Sequence, residues 1–498
     1  MTQEQALEKL NALEKKKAAY AHAMGLISYD AVTGAPLGGA ACRGETLAVL
    51  SQEEYRLKAG PETQELLAFL AGCGQALPPQ AARRVEILRQ ELDETRCIPP
   101  EEYAAYQKLL NDAEAVWHEA KGKSDFDSFA PYLKKIIDTQ IRFAAYSAAD
   151  KDPYEYYLDR YEPGMDAKAL DAFFSALRER LVPLLQRVQA AKQVDASFLT
   201  GDFPLEKQRA LAQELMDVLR IDRAHCAIGE TEHPFTTDFS KFDVRITTHY
   251  YRQNLFPALF SVVHEGGHAL YELNTADEYA YTCLGTGVSM GVHESQSRFY
   301  ENLIGRSRGF IAFLTPRLQA LFPQLSDVSQ QALYRAVNRC EASLIRIEAD
   351  ELTYCLHVMV RYELEKKLFA RQMAVEELPQ AWNALYREYL GVVPSCDREG
   401  VFQDSHWAGG SFGYFPSYAL GSAYGAQMMH CMKKSVDVDA CAAAGDLAPV
   451  NRWLCENIWR HGKRYRPDEL LARVFGGPFD PAYYLAYLEK KYTEIYEL

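Results

Sequence analysis

Phe260-Ser261-Val262-Val263-His264-Glu265-Gly266-Gly267-His268-Ala269-Leu270-Tyr271-Glu272 carries the pattern H-E-x-x-H inside a run of helical periodicity. Phe260, Val263, Leu270 and Leu273 recur at helical spacing, which buries one face of such a helix. Residues four apart on a helix share a face, about 6 Å apart along the axis, so the imidazoles of His264 and His268 can converge on one cation. Glu265, beside the first histidine, can reach a water on that cation and act as its general base. Zinc held by two histidines and a third protein ligand, with one position open, lowers the pKa of bound water to roughly 7 and polarises a carbonyl. The pattern therefore points to peptide hydrolysis. Gly266 and Gly267 each lose about 1 kcal/mol of helix propensity relative to alanine, which asks for a close approach at that point.

A chain of 498 residues, 48% hydrophobic and 24% charged, can bury a large core and is neither fibrous nor disordered in composition. A net charge of −14 and a pI near 5.5 argue against nucleic acid or an anionic membrane as partner, since both require a basic face. The charged start, Met1-Thr2-Gln3-Glu4, precedes no apolar segment of signal-peptide length. The most apolar stretches, Leu255 to Val263 and Gly309 to Leu314, fall short of the roughly 20 residues of a membrane helix. A cytoplasmic protein is expected. The 11 cysteines are dispersed without short paired spacing, which reads as reduced thiols rather than a disulfide framework or zinc ribbon.

Outward from the central stretch, helical patterns dominate. Toward the N-terminus they cover Gln3 to Ala23, Ala40 to Leu57, Pro61 to Ala71, Gln80 to Arg96, Pro99 to Ala120, Phe126 to Ala149 and Ala167 to Gln193. Pro153 to Gly164 reads as an ordered aromatic loop. Between Cys226 and Tyr251 the β-branched, roughly alternating Asp243 to Tyr250 predicts two or three short antiparallel strands. Such a sheet gives an extended peptide an edge to pair with beside the metal helix. Beyond the glycine-rich Gly285 to Gly291, helices are expected at Val292 to Ile304, Phe310 to Leu321, Val328 to Phe369, Val375 to Leu390 and Tyr418 to Met432. With no repeat or low-complexity linker, residues 1–498 read as one catalytic unit: a helical lobe to about 225, then a metal-binding and cleft-forming part.

Six motifs in order resemble the carboxypeptidase Taq family of metallocarboxypeptidases. They are His233-Pro234-Phe235, Asp243-Val244-Arg245-Ile246-Thr247, His264 to His268, His293-Glu294-Ser295-Gln296, Ile345-Arg346-Ile347-Glu348-Ala349-Asp350, and Gly400-Val401-Phe402-Gln403-Asp404-Ser405-His406-Trp407. Tyr29-Asp30 departs from the family's Trp-Asp. The resemblance implies a mainly α fold like that of neurolysin and angiotensin-converting enzyme, with a deep cleft, and usually a homodimer. It implies a metal-dependent carboxypeptidase of broad specificity acting on peptides with a free C-terminal carboxylate. Zinc is the expected metal, one per chain, with cobalt or manganese as substitutes.

The resemblance also extends the site. Glu294, 26 residues after His268, becomes the third metal ligand beside His264 and His268, while His293 is a structural or substrate-facing residue. Glu272, Glu301 and Asp350 are alternatives for holding the ligand histidines in the correct tautomer, or ordinary ion-pair partners. His406 and Tyr418, with Tyr414 as a further option, are placed on the oxyanion. For substrate binding the candidates are Arg346 on the terminal carboxylate, Arg245 as second choice, and His233. Arg346 could instead pair structurally with Glu348 or Asp350. A non-catalytic metal-binding scaffold is the rival class, and the retained Glu265 is what separates the two.

Overall fold

Short polar side chains open many of the helices. Asp125 caps Phe126–Ser147, Asp166 caps Ala167–Ala190, Ser289 caps Met290–Arg298 and Asp350 caps Glu351–Phe369, each accepting a backbone N–H of the first turn. The computed structural model describes residues Met1–Leu498, and apart from one small sheet the regular structure is helical, from Gln3–Thr33 to Ala482–Tyr496. No helix is long and apolar enough to cross a membrane.

Three expectations need correction. Pro153–Tyr161 is a helix, not a loop, because Asp152 accepts N–H bonds from Tyr154 and Glu155 and Pro153 pre-sets the first turn. The run from Val328 to Phe369 is broken: Gln330–Val337 ends, a 3₁₀ turn covers Arg346–Glu348, and Glu351–Phe369 starts afresh at Asp350. Arg346 therefore sits on a turn before a helix. The sheet is mixed rather than antiparallel. Its strands are β1 (Cys226–Glu230), β2 (Thr236–Ser240) and β3 (Asp243–Thr248), in the order β1-β3-β2, with β1 parallel and β2 antiparallel to β3.

β2 forms an edge beside the central helix Phe256–Leu273, and the Thr236 hydroxyl oxygen at its start lies 3.0 Å from the Glu265 backbone carbonyl oxygen. Tyr29, the departure from the family motif, lies edge-on to Phe235 and Phe239 and so packs the first helix against this sheet.

One apolar cluster of 109 buried residues runs from Tyr106 to Tyr496, so core packing continues through position 225. A separate cluster of nine, from Ala6 to Leu92, forms a small satellite core in the first helices. In the large core, Met290–Arg298 is held between two helices at glycines. A Cβ on Gly267 of the central helix would fall 2.6 Å from the Gln296 carbonyl oxygen and 2.8 Å from Ser297 Cα. On Gly421 of Pro416–Met432 it would fall 2.7 Å from Glu294 Cβ. Backbone contact this close is the reason for Gly267 that helix propensity demanded.

Candidate active site

Helical spacing places His264 and His268 on one face, and the packed helix Met290–Arg298 brings Glu294 to them. Glu294 Oε2 lies 3.3 Å from His268 Nε2 and 3.9 Å from His264 Nε2. One ligand atom from each of the three residues falls within a 4.8 Å group. Tetrahedral zinc with bonds of about 2.0 to 2.1 Å spaces its ligand atoms roughly 3.3 Å apart, so the donor set fits a zinc ion with small adjustments.

Behind each histidine stands a partner for its other nitrogen. His264 Nδ1 meets Glu301 Oε2 at 2.9 Å, and Glu301 lies in a π-helical segment, Phe299–Gly305, that follows Arg298. His268 Nδ1 meets His293 Nδ1 at 2.6 Å, and His293 Nε2 meets Glu272 Oε1 at 2.7 Å. His293 is thus an intermediary between His268 and a carboxylate. Glu272 also accepts from the Thr286 hydroxyl at 2.9 Å and Gly287 N–H at 3.2 Å. Of the three carboxylates considered from sequence, Glu301 backs His264 directly and Glu272 backs His268 through His293, while Asp350 serves as a helix cap.

Charge is balanced around these groups. Burial opposes ionisation of Glu294, but Arg298 and the two histidines outweigh it and hold its carboxyl well below the usual range. Glu301 is held low in the same way, by His264, Arg298 and Arg306 against burial. Burial pushes His268 down to about 4, which keeps it the neutral imidazole a metal requires. Glu265 accepts from the Thr236 hydroxyl at 2.6 Å, and burial raises its carboxyl above the ordinary value, as suits a proton acceptor.

The site opens into a cavity of about 1640 Å³, which His233, Asp238, Glu265, Arg346, Tyr414 and Tyr418 line together. Arg346 Nε and Nη2 donate to Asp404 Oδ1, at 3.0 and 2.7 Å, and Nη1 donates to the Tyr354 hydroxyl at 3.0 Å. Its partner is therefore Asp404, not Glu348 or Asp350. Arg361 takes the other oxygen, Asp404 Oδ2, at 2.7 Å, leaving two guanidinium groups around one carboxylate. Tyr418 faces the cavity, with His406 Nε2 3.3 Å from its hydroxyl; His406 touches Tyr418 without itself lining the cavity. Burial lowers His406 to about 4, so it too is neutral. Arg245 does not reach the cavity: its guanidinium binds Asp243 at 2.5 and 3.0 Å and lies over the Tyr29 ring. His233 is exposed at the cavity wall.

Five contacts were not anticipated from sequence: His293 between His268 and Glu272, Thr236 on Glu265, Tyr354 and Asp404 on Arg346, and Arg298 on Glu294. Only Arg298 left a local signal, being four residues from Glu294 on one helix face.

A profile described as carboxypeptidase Taq (M32) metallopeptidase matches residues 9–492. The chain is 41% identical over 489 residues to carboxypeptidase 1 of Bacillus subtilis, covering 98% of each. It is 39% identical over 509 aligned positions to thermostable carboxypeptidase 1 of Thermus thermophilus, covering both in full. Among solved structures, the M32 carboxypeptidase of Deinococcus radiodurans superposes with a TM-score of 0.96 at 36% identity, over 99% of this chain and 100% of that one. Matches of this extent, on a site whose donors fit a metal, make the chain a metallocarboxypeptidase that belongs to the carboxypeptidase Taq family.

Proposed function

We propose that the chain acts as one catalytic unit that releases residues singly from the C-terminus of peptides with broad side-chain tolerance. His264, His268 and Glu294 hold a zinc ion, for which cobalt or manganese can stand in. The observation that carries this reading is that His264, His268, Glu294, Glu265 and Arg346 line one cavity. When bound, zinc lowers the pKa of a coordinated water to roughly 7 and polarises the scissile carbonyl.

Glu265 takes the proton of the attacking water and returns it to the leaving amine, with Thr236 fixing the carboxylate's direction. Tyr418 donates toward the developing oxyanion, and neutral His406 behind it supports that hydroxyl. The free edge of β2 offers backbone groups to an extended substrate. His233 stands at the wall as a further substrate contact. Arg346 binds the terminal carboxylate. Of its five N–H groups, three are engaged by Asp404 and Tyr354, and two remain for a planar, bidentate acceptor.

A cytoplasmic location is supported by eleven free cysteines. A homodimer is part of the same reading, and light scattering on the purified protein measures it. The function itself is tested by digesting one peptide as the free acid and as the C-terminal amide, with metal content measured alongside. Stepwise loss of single residues from the free acid, stopped by phenanthroline, is the expected result. Internal cleavage at equal rates on both peptides would refute it.

A further inference from the structure

Arg298 has no part in the ligand set or the proton transfer, yet it is the cation nearest Glu294. Its side chain is 16% exposed. Nε donates to Glu294 Oε1 at 2.7 Å, Nη1 contacts Glu301 Oε2 at 3.4 Å, and the guanidinium carbon lies 4.1 Å from the Tyr354 ring centre. Three contacts on three sides fix the plane of the group.

The two oxygens of Glu294 are thereby made unlike. Oε2 is the one that approaches both imidazole nitrogens, and it also accepts the Ser297 hydroxyl at 3.1 Å. Oε1 is taken by a charge-assisted bond from Arg298. A carboxylate free to swing can give both oxygens to one ion, which raises the coordination number and closes the position that water needs.

We propose that Arg298 is a positioning residue that makes Glu294 a one-oxygen metal ligand by engaging Oε1 and leaving Oε2 alone to the ion. The role rests on the ligand set proposed above. Charge alone does not supply it. Lysine at this position would keep the positive charge but lose the planar Nε–H whose direction Tyr354 and Glu301 hold.

The test uses apo protein of wild type, Arg298→Lys and Glu294→Ala, each checked for native far-ultraviolet circular dichroism. Zinc affinity is read by competition with a chromophoric chelator, and the cobalt-loaded proteins by their visible absorption, whose bands weaken as coordination number rises. Arg298→Lys should lower zinc affinity roughly 10- to 100-fold, the usual effect of losing an outer hydrogen bond to a ligand. Its cobalt bands should be weaker than wild type. Wild-type band intensity in Arg298→Lys, with or without a change in affinity, would overturn the proposal and reduce Arg298 to a neutralising charge. Glu294→Ala separates the two layers: it should lose zinc, and wild-type affinity there would overturn the ligand set itself.

Discussion

Arg346 and Asp404, 58 residues apart in sequence, meet through two nitrogens on a single oxygen, Oδ1, at 3.0 and 2.7 Å. Because Arg361 occupies Oδ2, the cluster keeps one positive charge in excess, next to the cavity. Buried excess charge of this sign favours an anion beside it.

Arg346→Ala should therefore lower kcat/KM on free-acid peptides by roughly 2 to 4 kcal/mol, the loss of one buried charged pair. Amidated peptides, poor substrates from the start, should lose little more. The comparison is kinetic, on one peptide with both termini, and equal proportional losses would leave Arg346 a structural partner of Asp404.

On the proposed mechanism, Glu265→Gln removes the base and no ligand. Metal content should stay near one per chain while kcat falls by several orders of magnitude. His264→Ala should lose both. Metal analysis beside the rate decides, since near-normal turnover in metal-loaded Glu265→Gln would assign the proton transfer elsewhere.

Glu365 provides a pH signature remote from the metal donors. It accepts from Trp407 Nε1 at 2.7 Å, the Tyr154 hydroxyl at 2.9 Å and Gly413 N–H at 3.0 Å, and burial lifts its carboxyl to about 7. A raised carboxyl means that the native state binds the proton more tightly than the unfolded chain. Its contribution to stability is thus greatest below about 4.5 and declines as pH rises to about 7, by roughly 3 kcal/mol in total. Glu365→Gln should remove that decline from a plot of unfolding free energy against pH, whatever its effect on absolute stability. An unchanged slope between pH 5 and 7 would contradict the assignment.

Gly267→Ala should destabilise the protein by roughly 1 to 3 kcal/mol, because the added carbon meets helix backbone and outweighs the gain in helix propensity of about 1 kcal/mol. Gly44, inside Ala40–Ala59 with open space around its Cα, is the control. Gly44→Ala should be neutral or stabilising. Chemical denaturation of the two variants reads the contrast directly.

What could be read from the sequence follows the range of the interactions. His264 and His268 are legible because four residues make a helical turn, and Glu294 because its motif is distinctive. The helix at Pro153–Tyr161 was also written locally, in Asp152-Pro153, but the run of tyrosines drew the reading toward a loop. Strand direction was not legible: pairing of β1 with β3 is parallel because the chain between them passes through the edge strand β2, and alternation carries no sign of direction. Asp404 on Arg346 is a long-range choice among acidic residues, and the nearer Glu348 and Asp350 look equally suitable until the turn at Arg346–Glu348 aims the guanidinium. His293 was hidden by adjacency to Glu294. Successive residues on a helix point about 100° apart, yet both side chains end within the same network.

The helix that carries Glu294 is gripped from both sides, at Gly267 and Gly421, by contacts that owe nothing to an ion. In a zinc finger the fold is lost with the metal, whereas here the helix that carries Glu294 is packed by backbone contacts that need no ion. Occupancy then follows the free-ion supply by mass action, adding stability only in proportion to the logarithm of ion concentration over its dissociation constant. Starvation for metal would silence the enzyme without destroying it, leaving an idle pool that revives on resupply with no new synthesis.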